Sequence, residues 1–181
     1  MKNSNTNIIL IGITGVGKTT IGRALADSLN KEFVDLDKSI EQHCGVDIPT
    51  IFEIEGEAGF RNRETEELSR VIKGHDGVIL SVGGGCVLRK ENRELIISGT
   101  NTVVQLYASI DTLVERLSKS VAKRPLFNNA DITAKVTELY NVRKEYYDRI
   151  TDFKIDTSSL KPTQVIEQIG QALCSHGAGR G

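Results

Sequence analysis

The chain has 181 residues and a formal net charge of -1, with 39% hydrophobic and 26% charged residues. Domains usually run to about 100–200 residues, so we expect one domain over residues 1–181. The near-zero net charge excludes a general nucleic-acid binder, which needs an excess of basic residues to neutralise phosphates. The composition excludes collagen, coiled coils and disordered chains.

The cysteines and the start of the chain indicate where the protein resides. Cys44, Cys86 and Cys174 are far apart and form no CxxC pair, so we expect neither a disulfide framework nor a zinc site. Free thiols are typical of a reducing compartment. The polar start lacks a signal-peptide core, and the apolar run 8–13 is too short to span a membrane. These features predict a cytoplasmic protein without a membrane partner.

Short apolar runs alternate along the chain with longer amphipathic stretches. The predicted strands cover 7–12, 32–35, 77–82, 102–107 and 153–156. The predicted helices cover 18–30, 39–44, 58–73, 90–98, 110–119, 133–150 and 162–173, and a further helix begins near Pro49. This alternation predicts an α/β fold with a parallel sheet. We interpret 38–73 as a helical insertion, 120–129 as a mobile lid and 175–181 as a frayed tail.

A phosphate-binding pattern follows the first predicted strand. Residues 12–19 match G-x-x-x-x-G-K-[ST] in full, between a strand and a helix. The glycines let backbone amides turn toward a phosphate chain, the lysine reaches the β- and γ-phosphates, and the threonine hydroxyl can bind Mg²⁺. The candidate nucleotide-binding residues of this loop are Gly12, Thr14, Gly15, Val16, Gly17, Lys18, Thr19 and Thr20.

The rest of the chain narrows the class of nucleotide protein. The Asn-Lys-x-Asp guanine reader of a regulatory GTPase is absent, as is a D-x-x-G switch motif. A motor or transporter ATPase would need a longer chain. A small kinase, which pairs a phosphate loop with an acceptor pocket, remains.

Two carboxylates and three glycines follow the next two predicted strands. Asp35 and Asp37 are placed on an extended segment, about 6.5 Å apart along the chain, which is too far to share a proton. One can hold the metal's water shell, and the other can accept a hydrogen bond from the attacking hydroxyl. Three successive glycines, at 83–85, allow a ligand to approach backbone amides closely.

Three arginines are candidates for binding anions. Arg61 precedes Glu64 at the i,i+3 spacing of a helical ion pair, and Arg143 lies near the middle of the long predicted helix. Arg124 lies in the predicted lid, from which it can swing onto the transferring phosphate and stabilise its charge.

Taken together, these segments resemble the shikimate kinase family. The resemblance covers about residues 8–170, and its specific part is the ordered set D-x-D, F-R-x-x-E, G-G-G and R-P-L. The motifs start at Asp35, Phe60, Gly83 and Arg124. The resemblance implies a nucleoside-monophosphate-kinase-like fold, with a five-stranded parallel sheet in the order 2-3-1-4-5. It also implies phosphoryl transfer from ATP, with Mg²⁺, to the 3-hydroxyl of shikimate.

The resemblance further implies a role for each candidate residue. Asp37 would bind the acceptor hydroxyl and act as base, with Lys18 and Arg124 as the other catalytic residues. Asp35 and Thr19 would serve the Mg²⁺ site. The acceptor would contact Arg61 and Arg143 through its carboxylate and Gly83, Gly84 and Gly85 through a hydroxyl. Arg116 and Pro162 would lie near the adenine.

Two alternatives stay open at the level of sequence. One is another small-molecule kinase of the same fold, acting on gluconate or a nucleoside monophosphate. The other is a nucleotide-dependent regulatory module that has lost phosphoryl transfer. We expect small-molecule partners only, ATP and shikimate, and a monomer.

Overall fold

The computed structural model describes residues 6–120 and 132–176. Five strands form one parallel sheet in the order β2-β3-β1-β4-β5, which confirms the predicted order. The strands are β1 Ile8–Ile11, β2 Phe33–Asp35, β3 Ile79–Ser81, β4 Thr102–Tyr107 and β5 Phe153–Asp156. Every predicted strand is present, and the last two have the predicted bounds.

Helices follow the strands and cover both faces of the sheet. They are α1 Lys18–Leu29, α2 Leu36–Cys44, α3 Ile48–Gly74, α4 Lys90–Ile96, α5 Ile110–Ser120, α6 Ile132–Ile150 and α7 Pro162–His176, and a short 3₁₀ turn spans Cys86–Leu88. The 3₁₀ turn is absent from the sequence prediction. α3 contains a kink at Gly56 (φ 69°, ψ -176°), which separates the two helical stretches expected there.

Alternate residues of the central strand β1 enter two different cores, because successive side chains of a strand point to opposite faces. Ile8 and Leu10 pack with Val165 and other residues of α1 and α7. Ile9 and Ile11 pack on the other face with residues of α2, α3 and α6. Both faces of β1 are fully covered, which explains its uninterrupted apolar sequence.

The edge of the sheet at the amino ends of the strands is held together by Asn7. Its side-chain oxygen accepts hydrogen bonds from the backbone amides of Gly77 (2.8 Å) and Val78 (3.0 Å), just before β3. Its amide donates to Asn101, just before β4. The opposite edge carries the loops after β1, β2 and β3, where the candidate site residues lie.

Three expectations fall partly or wholly beyond the described residues. Of the predicted lid, 120–129, only the backbone of Ser120 is described, as the last residue of α5, and Arg124 lies outside the described residues. Of the predicted tail, 175 and 176 belong to α7 and the remainder is not described. Within the described chain, no helix combines the length and the apolar character needed to cross a membrane.

Candidate active site

The phosphate loop connects β1 to α1 and depends on three glycines with positive φ. Gly12, Gly15 and Gly17 have φ of 144°, 95° and 96°. The Lys18 ammonium lies over the loop, where it donates to the carbonyl oxygens of Gly12 at 2.7 Å and Ile13 at 3.2 Å. α1 begins at Lys18 without a side-chain cap, so its first backbone amides point toward the loop.

Gly12 has a packing role that the sequence analysis did not predict. A Cβ atom at this position would lie 2.2 Å from the carbonyl oxygen of Leu106 in β4, which no side chain can tolerate. Val16 likewise contributes to structure, since its side chain is buried in the core and only its backbone faces the loop. Thr14 and Thr20 line the cleft beside the loop.

Thr19 and Asp35 meet at the start of the cleft. The Thr19 hydroxyl donates to Asp35 Oδ2 at 2.9 Å. The other oxygen, Oδ1, accepts from the backbone amide of Lys38 at 3.3 Å and so caps α2. A hydroxyl from the first turn of α1 and a carboxylate from the end of β2 therefore meet beside the phosphate loop.

The predicted extended placement of Asp37 is wrong. α2 begins at Leu36, so Asp35 is the N-cap and Asp37 lies in the first helical turn. Asp37 is half-buried, and its pKa is raised above the usual range, first by burial and then by the charge of Asp35. Lys18 and Arg61 oppose this rise. The two carboxylates still occupy different surroundings, as two separate roles require.

The three glycines after β3 form the floor of an acceptor pocket. We define this pocket by the residues that a Cβ atom at each glycine would meet. At Gly83 it would lie 3.0 Å from Asp37 Oδ1, and at Gly84 it would lie 3.2 Å from Arg143 Nη1. At Gly85 it would lie 2.5 Å from Arg61 Nη2. The predicted acceptor residues therefore converge on one strip of backbone, although they come from three different helices.

Arg61 is held in the pocket by Glu64. Its Nη1 donates to Glu64 Oε2 at 2.8 Å, and the two side chains are only 16% and 1% exposed. Burial raises the pKa of Glu64 and the charge of Arg61 opposes the rise. Glu64 was not among the predicted site residues, although its i,i+3 spacing from Arg61 predicted this pair.

Arg143 and Tyr147 approach the same strip from α6. Arg143 Nε is buried and has no hydrogen-bond partner among the described residues. The Tyr147 hydroxyl donates to the carbonyl oxygen of Gly84 at 2.7 Å. The sequence analysis assigned no role to Tyr147.

Arg116 connects the phosphate loop to the end of β5. It donates to the carbonyl oxygen of Gly15 at 3.3 Å and to both oxygens of Thr157, at 3.1 Å for the hydroxyl. The Thr157 hydroxyl in turn donates to Val16 O at 3.0 Å. Pro162, the first residue of α7, is exposed on the same side of the sheet. Thr157, which is almost fully buried, carried no predicted role.

One cleft of about 300 Å³ runs from the phosphate loop to Asp37 and the start of the glycine strip, whereas Arg61, Gly85 and Arg143 are not among the residues that line it. Its lining contains Lys18, Thr19, Asp35, Asp37, Gly83, Gly84 and Arg116. A larger depression, about 590 Å³, lies between α1, α2 and α3 and contains none of the glycines of either loop. The chemistry-bearing residues therefore favour the smaller cleft as the candidate active site.

Cys86, next to the glycine strip, is an inert thiol. It is fully buried, and burial raises its pKa well above the usual range. Thiolates, not thiols, are the reactive form, so the geometry excludes Cys86 as a nucleophile. All three cysteines are free, as expected.

Comparisons with known proteins point to one family. The family model for shikimate kinase matches residues 14–174. A shikimate kinase of Marinomonas sp. (strain MWYL1) is 44% identical over 171 residues, which cover 94% of this chain and 93% of the relative. A shikimate kinase of Neisseria meningitidis serogroup C is 48% identical over 164 residues, covering 90% of this chain and 94% of the relative.

A solved structure extends the likeness to the fold. The shikimate kinase from Acinetobacter baumannii in complex with shikimate has a TM-score of 0.88 and 34% sequence identity, and the match covers 96% of each chain. A family match over most of the chain, and relatives of this similarity along nearly its whole length, show that the chain belongs to the shikimate kinase family.

Proposed function

We propose that this protein transfers the γ-phosphoryl group of ATP to the 3-hydroxyl of shikimate, giving shikimate 3-phosphate and ADP. The observation that carries this proposal is that the phosphate loop, Asp37 and the first two glycines of the strip, Gly83 and Gly84, line one cleft. The step would serve aromatic amino acid biosynthesis. Membership of the family implies the use of ATP.

The nucleotide side of the cleft supplies positive charge and backbone donors. Lys18 carries the ammonium of the phosphate loop and would reach the β- and γ-phosphates, with the loop amides and the start of α1 around them. Arg116 and Pro162 lie on the side where the adenine would bind. Arg124, which lies outside the described residues, would stabilise the charge on the transferring phosphoryl group.

The donor set at Thr19 and Asp35 fits Mg²⁺. Both offer hard oxygen ligands, and their hydrogen bond brings the two oxygens to 2.9 Å. Protein sites for this ion usually provide one or two such ligands and leave the rest to phosphates and water. Mg²⁺ would neutralise charge on the phosphates, while Thr19 and Asp35 would hold it beside the phosphate loop.

The acceptor pocket matches a small hydroxylated carboxylate. Arg61 and Arg143 offer two guanidinium groups to one anion, and each fork can pair with a carboxylate through parallel hydrogen bonds. The glycine strip, 83–85, offers backbone amides to a ring hydroxyl, because it carries no side chains in the way.

Asp37 would act on the hydroxyl that attacks. It lies beside both Gly83 and the phosphate loop, so a hydroxyl bound there can face the γ-phosphate. Its carboxylate would accept the hydroxyl proton as the oxygen–phosphorus bond forms and ADP leaves. Its raised pKa makes it a better base than an ordinary aspartate.

We also propose that the protein acts as a cytoplasmic monomer. The support for the compartment is three free cysteines, which are typical of a reducing compartment. Sedimentation of the purified protein with and without substrates tests the monomer directly.

A coupled assay of ADP release tests the reaction. We expect turnover with shikimate, and none above background with gluconate or AMP, which address the other kinases of this fold. Shikimate methyl ester keeps every hydroxyl but lacks the negative charge, so its efficiency should fall by about tenfold or more. Equal efficiency for the ester would contradict the two-arginine clamp. ATP binding without transfer to any acceptor would favour a regulatory module.

A further inference from the structure

Tyr147 lies beside the acceptor pocket and has no role in the mechanism above. Only 1% of its side chain is exposed, in the core that α6 shares with α3 and β3. Its hydroxyl donates to the carbonyl oxygen of Gly84, 63 residues earlier in the chain, at 2.7 Å. One hydrogen bond thus ties α6 to the glycine strip.

Arg143 lies one helical turn before Tyr147 and faces the same glycine. A Cβ atom at Gly84 would lie 3.2 Å from Arg143 Nη1. Within the described residues no carboxylate forms an ion pair with Arg143, whereas Arg61 is fixed by the buried Glu64. Arg143 Nε is buried and unpartnered in that same part of the chain. Something other than an acidic partner must orient this guanidinium.

The Tyr147 hydroxyl can serve as a hydrogen-bond donor and as an acceptor at the same time. A phenol carries one hydrogen and two lone pairs, so it can donate to Gly84 and accept from Arg143 at once. Burial raises the pKa of Tyr147, so its hydroxyl stays protonated and keeps its hydrogen to donate. The nearby charge of Arg143 opposes this rise.

We propose that Tyr147 is a positioning residue that fixes the guanidinium of Arg143 against the backbone of Gly84, so that both contact the same acceptor molecule. The inference rests on the proposed function, since it takes the acceptor to be a carboxylate. A neutral phenol orients Arg143 without cancelling its charge. Because Glu64 pairs with Arg61, Arg143 is the arginine of the described pocket that no carboxylate pairs with, and its charge stays available to the acceptor's carboxylate.

Tyr147→Phe tests this role, because it removes the hydroxyl and keeps the ring. We expect the KM for shikimate to rise about five- to tenfold, with the KM for ATP unchanged and kcat within about twofold. Tyr146→Phe is the matched control: its ring lies 4.5 Å from the Arg93 guanidinium, a contact that needs no hydroxyl. Val165→Ala, in the other core, controls for general loss of stability.

A double-mutant cycle with Arg143→Lys separates this inference from the proposed function. If Tyr147 acts through Arg143, Tyr147→Phe should add less than about twofold to the KM for shikimate once Arg143 is lysine. The inference is overturned by additive effects, by a normal KM in Tyr147→Phe, or by an equal rise in an equally destabilised Val165→Ala. If the unmodified protein does not phosphorylate shikimate, or if Arg143→Lys leaves the KM unchanged, the proposed function itself fails.

Discussion

At the scale of single residues, the cleft contains two carboxylates, Asp35 and Asp37, whose surroundings give them different chemistry. Asp35 is engaged by Thr19 and by the backbone of α2, whereas Asp37 faces the glycine strip with a raised pKa. The larger cause of that rise is burial, and the charge of Asp35 adds to it. On the proposed function, this asymmetry would separate a metal-side carboxylate from a proton acceptor.

Asp37→Asn should lower kcat by at least about 10²-fold, because the amide cannot accept the proton, while the KM for ATP changes little. In the unmodified enzyme the required form is ionised, so activity should fall as the pH drops through the raised pKa of Asp37. Asp35→Asn removes a charge that raises this pKa and should therefore move the acid limb of kcat/KM for shikimate to lower pH. The measurement is the pH at half-maximum, not the amplitude; an acid limb that does not move would contradict this electrostatic coupling.

Arg61→Lys keeps the charge of the clamp but loses its planar fork. We expect the KM for shikimate to rise about tenfold, which corresponds to about 1.4 kcal/mol for a lost charged hydrogen bond, while the KM for ATP stays nearly constant. Arg63→Lys is a suitable control. Arg63 lies two positions after Arg61 on the same helix, but it pairs with Glu55 instead of Glu64. An equal rise of the KM for shikimate in both variants would contradict a role of Arg61 in binding the acceptor.

At the scale of elements, the side chains that pack against the glycine strip restrict which residues can occupy it. Gly85 has an ordinary backbone conformation (φ -91°, ψ -7°), so it could accept a side chain without strain. The restriction comes from Arg61, whose Nη2 would lie 2.5 Å from a Cβ atom there. The end of a long arginine can move away, so the fold would survive while the clamp shifts.

Gly85→Ala should therefore raise the KM for shikimate by about tenfold and leave the melting temperature nearly unchanged. Gly170→Ala in α7 provides the contrast, because a Cβ atom there meets nothing within 4 Å. That substitution should stabilise the protein by up to about 1 kcal/mol without altering either KM. A large loss of stability in Gly85→Ala would argue against a displaced side chain.

Elements also show how far the sequence could be interpreted. The strands, the phosphate loop and the glycine strip are encoded locally, by alternating patterns and short motifs, and could be predicted, whereas the order of the strands in the sheet followed only from the family resemblance. The start of α2 could not, because Leu36 continues an apolar strand pattern and Asp35 acts both as strand end and as helix cap. The bond from Tyr147 to Gly84 joins segments that meet only after folding, so no local pattern announces it.

At the scale of the whole molecule, the proposed function assigns different ligands to the two halves of the site. The acceptor pocket is built from residues of α2, α3, α6 and the glycine strip, whereas Lys18 belongs to the phosphate loop. Lys18→Met should thus lose the thermal stabilisation by ADP and keep that by shikimate. For a ligand at 100 times its Kd, stabilisation is about 2.7 kcal/mol, or roughly 5–10 °C in Tm for a chain of this size. Loss of both shifts would mean that the halves are not independent.

The pairing of the short strands β1 and β3 also sets the distance between the phosphate loop and the glycine strip. The phosphate loop starts one residue after β1, and the glycine strip starts two residues after β3, so the pairing of Ile8 with Ile79 sets how far apart the two loops stand. A slip of one residue would offset them by about 3.3 Å, more than phosphoryl transfer tolerates. Asn7 holds that register from the far edge of the sheet, through bonds to Gly77 and Val78. Asn7, which would contact no substrate, therefore helps to set the distance between the phosphate donor and the acceptor.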